Sequence, residues 1–185
     1  MTLLIDLLRR EHESIAALLD TLEAQVAVLA EAGEPDYDVL QALAEYFADY
    51  PALVHHPKED LIWQALKVRD EAAAAAVGDL PAEHARLAKL VHGFVAAIGA
   101  IMHDDEVPRD AATHVIRRFI EAERQHIAME EESFLPAAAR VLRPEDWTAL
   151  TAETDWRPDP LAEAADRRFT ALRRVIAEAA RPTRR

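Results

Sequence analysis

Cysteine is absent from the 185-residue chain, which excludes disulfides, thiolate metal ligands and thiol nucleophiles. Any metal must therefore sit on nitrogen and oxygen donors. Glycine occurs only four times and aromatic residues make up 6%, a composition that suits helices far better than sheets. No apolar run approaches the roughly 18 uninterrupted residues of a membrane span, so no membrane association is expected. In the first 14 residues the arginines follow the apolar stretch and charges run throughout. That pattern reads as an amphipathic helix and not as a signal peptide, and a cytoplasmic location is expected.

The apolar share is 51% with alanine abundant, enough for one domain, or one domain with an appendage, to bury a sizeable core. The net charge of −13 is unevenly spread. Residues 166–185 hold seven arginines against Asp166 and Glu178, a local +5 that leaves −18 on the rest. So acidic a body argues against nucleic acid as a partner. The Arg-rich end is read more simply as docking on that body than as a binding arm.

Apolar periodicity predicts a first helix from about Thr2 to Glu31, with Ile5, Leu8, His12, Ile15, Leu19, Leu22, Val26 and Leu29 on one stripe. One member of that stripe is a histidine. Residues 32–36, Ala-Gly-Glu-Pro-Asp, form a stop-and-restart signal. A second helix is expected from Tyr37 to Val68, kinked or locally rewound by Pro51 and Pro57. A third runs from Ala82 to Met102 and a fourth from Arg109 to Val141, bent by Pro136. A short helical piece around Trp147 and a final helix carrying Leu161, Ala165, Phe169, Leu172 and Ile176 complete the chain. The expected fold is all-α: an up-down-up-down four-helix bundle over residues 1–142, with residues 143–185 as a C-terminal helical appendage packed on it.

Two segments have the form His-x-x-x-Glu, His55 with Glu59 and His126 with Glu130. Residues four apart share a helix face, so each pair can present an imidazole and a carboxylate together. His12 and His84 add one imidazole from each remaining helix. In an antiparallel bundle, ligands at one level must be equidistant from the turn between their helices. Taking residues 57 and 128 as the centres of the two pairs, the midpoints fall at about 34.5, 70.5 and 106. The first and third lie in loops already assigned. The second predicts a turn near residue 70, with Glu71 to Val77 beginning the third helix and a kink before Pro81. Mixed imidazole and carboxylate donors suit iron, manganese or zinc over calcium or magnesium. Six protein donors satisfy one octahedral ion, or give about three to each of two.

The stretches Val54-His55-His56-Pro57-Lys58-Glu59-Asp60-Leu61-Ile62-Trp63, Glu83-His84-Ala85-Arg86-Leu87 and Gln125-His126-Ile127-Ala128-Met129-Glu130-Glu131, with His12 in Glu11-His12-Glu13, resemble the hemerythrin family in its HHE cation-binding branch. The resemblance covers roughly residues 3–142. It implies two iron ions, oxo- or hydroxo-bridged and also bridged by the two glutamates, with manganese or zinc as possible substitutes. The implied metal ligands are His12, His55, Glu59, His84, His126 and Glu130. The oxygen-carrying members have a second histidine one turn after the third-helix one, where this chain has Ala88. They end in a His-x4-Asp pair, where this chain has His126-x3-Glu130. The resulting set of four histidines and two glutamates is similar to that of iron-cluster repair and iron-sensing members, and implies a more open coordination sphere.

Four histidines remain. His56 lies about 100° from His55 on a regular helix and is expected to face solvent. His92 is off the face of His84, while His103 and His114 flank the third loop. Asp60, Glu131 and Glu132 are read as a solvated outer face, Glu123 as an exposed edge carboxylate, and Trp63 and Phe134 as dry walls. The expected function is a binding or sensing protein for O2, NO, peroxide or iron itself. The alternatives are a metal-redox enzyme (peroxide disproportionation, NO reduction or iron-centre repair) and a metal-stabilised structural or interaction protein.

Overall fold

The computed structural model of the chain describes residues 3–103, 108–153, 159, 161 and 169–179. Among the described residues all regular structure is helical. In order, the helices are α1 (Leu3–Ala30), α2 (Tyr37–Tyr50), α3 (His56–Arg69), α4 (Glu71–Val77), α5 (Leu80–Met102), α6 (Arg109–Met129), α7 (Leu135–Val141), α8 (Pro144–Glu153) and α9 (Thr170–Ala179). A π-turn at Pro51–His55 joins α2 to α3, and another at Glu130–Phe134 joins α6 to α7.

Local chemistry fixes the breaks. Past α1, Ala32 takes a positive φ of 57° and the Gly33 N–H reaches back to the Val28 carbonyl at 2.9 Å. A β-carbon on Gly33 would stand 2.8 Å from Val28 Cγ1, so only glycine fits there. Asp36 caps α2 by accepting from the Val39 N–H. Asp70 ends α3 through its own N–H and starts α4 by accepting from the Ala73 N–H. The turn expected near residue 70 is thus one aspartate. Glu71–Val77 does not run on as a kinked start of the third helix: it is a separate helix, stopped by Gly78 at φ 104° and followed by the Asp79 cap of α5. The third expected midpoint lies outside the described residues, in the gap that Met102 and Arg109 flank.

The two π-turns have one cause. Pro57 and Pro136 are each the second residue after a π-turn. In an α-helix such a proline would clash with the carbonyl four residues earlier and leave it unbonded. The backbone widens instead: the His56 N–H bonds to the Pro51 carbonyl, and the Leu135 N–H to the Glu130 carbonyl. The expected rewinding is therefore a π-turn in each case.

Contacts run α1 to α2, α2 to α5, α5 to α6 and α6 back to α1. The apolar interior is split in two. One core gathers Ile15 to Leu29 of α1 with Phe47, Phe94 and Phe119, whose rings stack or meet edge to face at 4.7–6.1 Å. The other joins Leu4, Ile5 and Leu8 to Ile62, Trp63, Phe134 and Leu135. Between Leu8 and Ile15 lies the polar layer that carries Glu11 and His12. Helix α8 adds Trp147 and Leu150 to the second core, while Phe169 and Leu172 join the first. Arg174 reaches Asp36 at 3.4 Å. Of the final helix expected around Leu161 to Ile176, Leu161 lies in a turn, residues 162–168 lie outside the described ones, and helix resumes at Thr170.

By length and composition, one helical stretch, Glu71–Met102, could cross a membrane: an 18-residue window in it has mean hydropathy 1.5, with only 17% of that window buried. Alanines on its outward side, such as Ala96, raise hydropathy without presenting much apolar area. Its inward side, with His84, Leu87, Phe94 and Ile98, is buried among the other helices.

Candidate metal centre

All six expected ligands converge in the polar layer. His12, His55, Glu59, His84, His126 and Glu130 are buried, the two glutamates completely. Helical spacing brings His55 Nε2 to 3.4 Å from Glu59 Oε1 and His126 Nε2 to 3.1 Å from Glu130 Oε1. His12 Nε2 lies 3.2 Å from Glu59 Oε1 and 3.3 Å from Glu130 Oε2. Across the layer, His84 Nε2 lies 3.6 Å from Glu59 Oε2 and 3.5 Å from Glu130 Oε1. Each carboxylate thus presents one oxygen to the His12 side and the other to the His84 side.

A seventh residue enters. His56, expected to face solvent, is only 7% exposed and stacks on His84 with ring centroids 4.1 Å apart. The π-turn is the reason: it breaks the 100° step at this point, so consecutive histidines both turn inward. Two groups of donor atoms result, each lying within 4.8 Å of one another. One comprises His12, His55, Glu59 and Glu130; the other comprises His56, Glu59, His84 and His126. The layer thus brings together five imidazoles where four were expected. The fifth comes from beside His55, not from position 88.

Of the carboxylates read as a solvated face, Asp60 and Glu131 are 37% and 31% exposed at the side chain, yet each also bonds inward to a histidine. Asp60 accepts from His84 Nδ1 at 2.9 Å, and Glu131 from His12 Nδ1 at 2.8 Å while also holding Arg9 at 3.1 Å. Glu11, which sequence reasoning passed over, accepts from His55 Nδ1 at 2.8 Å and from Lys58 Nζ at 2.6 Å, all three groups buried. These bonds leave each Nε2 free to face the centre, the usual outer support of a metal-bound imidazole. Glu123 is 2% exposed, not an edge residue. Glu132 is exposed, as expected, and so are His92, His103 and His114, none of which joins the layer.

Without a cation the layer holds charge by protonation. Burial alone would lower the His12 pKa, but Glu130 and Glu59 raise it to about 11. Against the same opposing burial, Asp60 and Glu130 raise His84 to about 9. Burial together with the neighbouring His84 pushes His56 well below its ordinary value. Glu130 is held well below the carboxylate range by His12, His126 and His84 despite its burial. Burial pushes the Glu123 carboxyl up.

Buried polar atoms without partners test the fit to a metal. Nε2 of His56, His84 and His126, Oε2 of Glu59 and both oxygens of Glu130 have no hydrogen-bond partner. Leaving so many aimed at one small volume is costly unless something else satisfies them. Nitrogen and carboxylate donors with no thiolate suit a first-row transition ion, so the donor set fits a metal. Neither a curated protein nor a solved structure matches the chain. The family of the hemerythrin HHE cation-binding domain matches residues 3–138, most of the chain and every residue of the layer. The protein belongs to the hemerythrin HHE cation-binding family.

Proposed function

We propose that the chain is a non-haem di-iron protein that binds or senses a small ligand, O2, NO or peroxide, or reports iron itself. The observation that carries this reading is the division of the buried donors into two groups sharing Glu59, with Glu130 facing both sides. His12 and His55 would hold one ion, His56, His84 and His126 the other, with Glu59 and Glu130 spanning them. The ions would supply the redox change and the open coordination position. The protein's own part is to orient the imidazoles through Glu11, Asp60 and Glu131 and to keep water out with the apolar cores on either side. The cyclic contacts of the four long helical rods favour the up-down-up-down bundle order.

Metal analysis of freshly purified protein, then anaerobic reconstitution with Fe(II) and absorption spectroscopy, tests this reading. We expect two irons per chain and a spectral change with at least one of O2, NO and peroxide. A single tightly held zinc rejects it; two irons with no response to any of the three reject ligand binding and leave iron itself as the signal.

A further inference from the structure

A pocket of about 310 Å3 opens between α2 and α5 beside the centre. Ala52 and Ala88 flank its mouth, Phe47 and Val91 line its walls, and His56 and Glu123 stand at its floor. The small side chain at position 88 keeps the space open. Its polar lining is the buried floor, His56 at 7% exposed and Glu123 at 2%, together with the exposed ring of His92. None of the hydrogen bonds or ion pairs described above engages Glu123, which lines the pocket at 2% exposure.

We propose that this pocket binds a small, uncharged organic molecule with an aromatic body and a hydroxyl head that hydrogen-bonds to Glu123. Size sets the body. A cavity of about 150 Å3 already accepts a benzene, so this one takes a one- or two-ring molecule and is far larger than a diatomic gas needs. The apolar walls favour a ring that leaves water. Glu123 sets the head: it is the carboxyl that the pocket presents, and a hydroxyl can both donate to it and accept from it. The walls beside it are apolar, so a cationic head would lose its hydration there. The His56 ring belongs to both pocket and metal centre, so an occupant lies directly against the proposed site.

Fluorescence titration of the full chain with 2-naphthol tests the proposal, in metal-free and zinc-loaded protein, with naphthalene and the cationic 2-(aminomethyl)naphthalene for comparison. Saturable 2-naphthol binding is expected in both forms, at least tenfold tighter than either comparison molecule. Glu123→Leu should erase the preference over naphthalene, while Glu123→Gln, which keeps hydrogen-bonding capacity, should retain most of it. Ala88→Phe should block binding by filling the space. Ala52→Phe at the exposed mouth does the same should the first variant misfold, with circular dichroism checking the fold of each. Absence of saturable binding, equal binding of naphthalene, tighter binding of the amine, or unchanged binding in a folded mouth variant overturns the proposal. Because the metal-free protein is sufficient, loss of the di-iron reading would leave this result standing, and the reverse.

Discussion

Pro57 has no backbone N–H, and that one missing donor decides where two imidazoles go. On a regular helix His55 and His56 diverge; past a π-turn both are buried at the centre. His56→Ala should therefore lower iron content from two per chain to about one, read by metal analysis, whereas exposed His92→Ala should leave it unchanged. Six residues of the layer were legible because His-x-x-x-Glu pairs and equidistance from turns are patterns in sequence number. His56 was not, because the uniform 100° step fails at the one place it mattered, although the His-His-Pro order held the signal. Glu11 was hidden for another reason: its partners, His55 and Lys58, are 44 and 47 residues away. Lys58→Ala leaves the Glu11 charge buried with half its partners, and should destabilise the fold by about 3–5 kcal/mol in urea unfolding. Pairing it with Glu11→Gln should recover part of that loss, because the uncompensated charge goes too.

At the level of elements, prolines act as register marks more than as breaks. Pro57→Ala restores a donor and removes the ring clash, so α2 and α3 can fuse into one regular helix. Helix content by circular dichroism should hold or rise slightly, while metal affinity falls about tenfold or more as one histidine turns outward. Unchanged affinity would mean that packing of the two cores, not Pro57, maintains the π-turn. The turns at residues 32–36 and near residue 70 were legible, while the caps that Asp36, Asp70 and Asp79 supply through their side chains were not assigned from the sequence. The break at Gly78 was visible as a glycine. That it would end a separate helix, and not kink a continuous one, depended on the 104° φ that Gly78 adopts, and on Trp63 donating to its carbonyl at 3.0 Å.

For the molecule as a whole, a charged layer between two apolar cores links folding to metal and to pH. Removing the metal with a chelator should lower the melting temperature, since a ligand at about 100 times its Kd stabilises the native state by about 2.7 kcal/mol. The pH dependence has a defined sign. In the metal-free protein His84 and His12 have native pKa values of about 9 and about 11 against an ordinary 6.5. Their contribution to stability is complete below 6.5 and is lost as pH rises through 9 and then 11. A metal competes with those same protons and binds more tightly as pH rises. The gap in melting temperature between loaded and metal-free protein should therefore widen from pH 6.5 to 9, and a constant gap would argue against imidazole ligation.

Each π-turn is also a helix holding one residue more than its ladder can pair, so it can be viewed as a tolerated insertion. Leu53, within the first of them, is 63% exposed and contributes little to either core. A chain lacking Leu53 and carrying Pro57→Ala could keep both flanking helices in regular register. It would then present only one of two adjacent histidines to the interior. Variation in chain length, at a residue that touches no metal, is thus a route by which related proteins could differ in the number of imidazoles they offer.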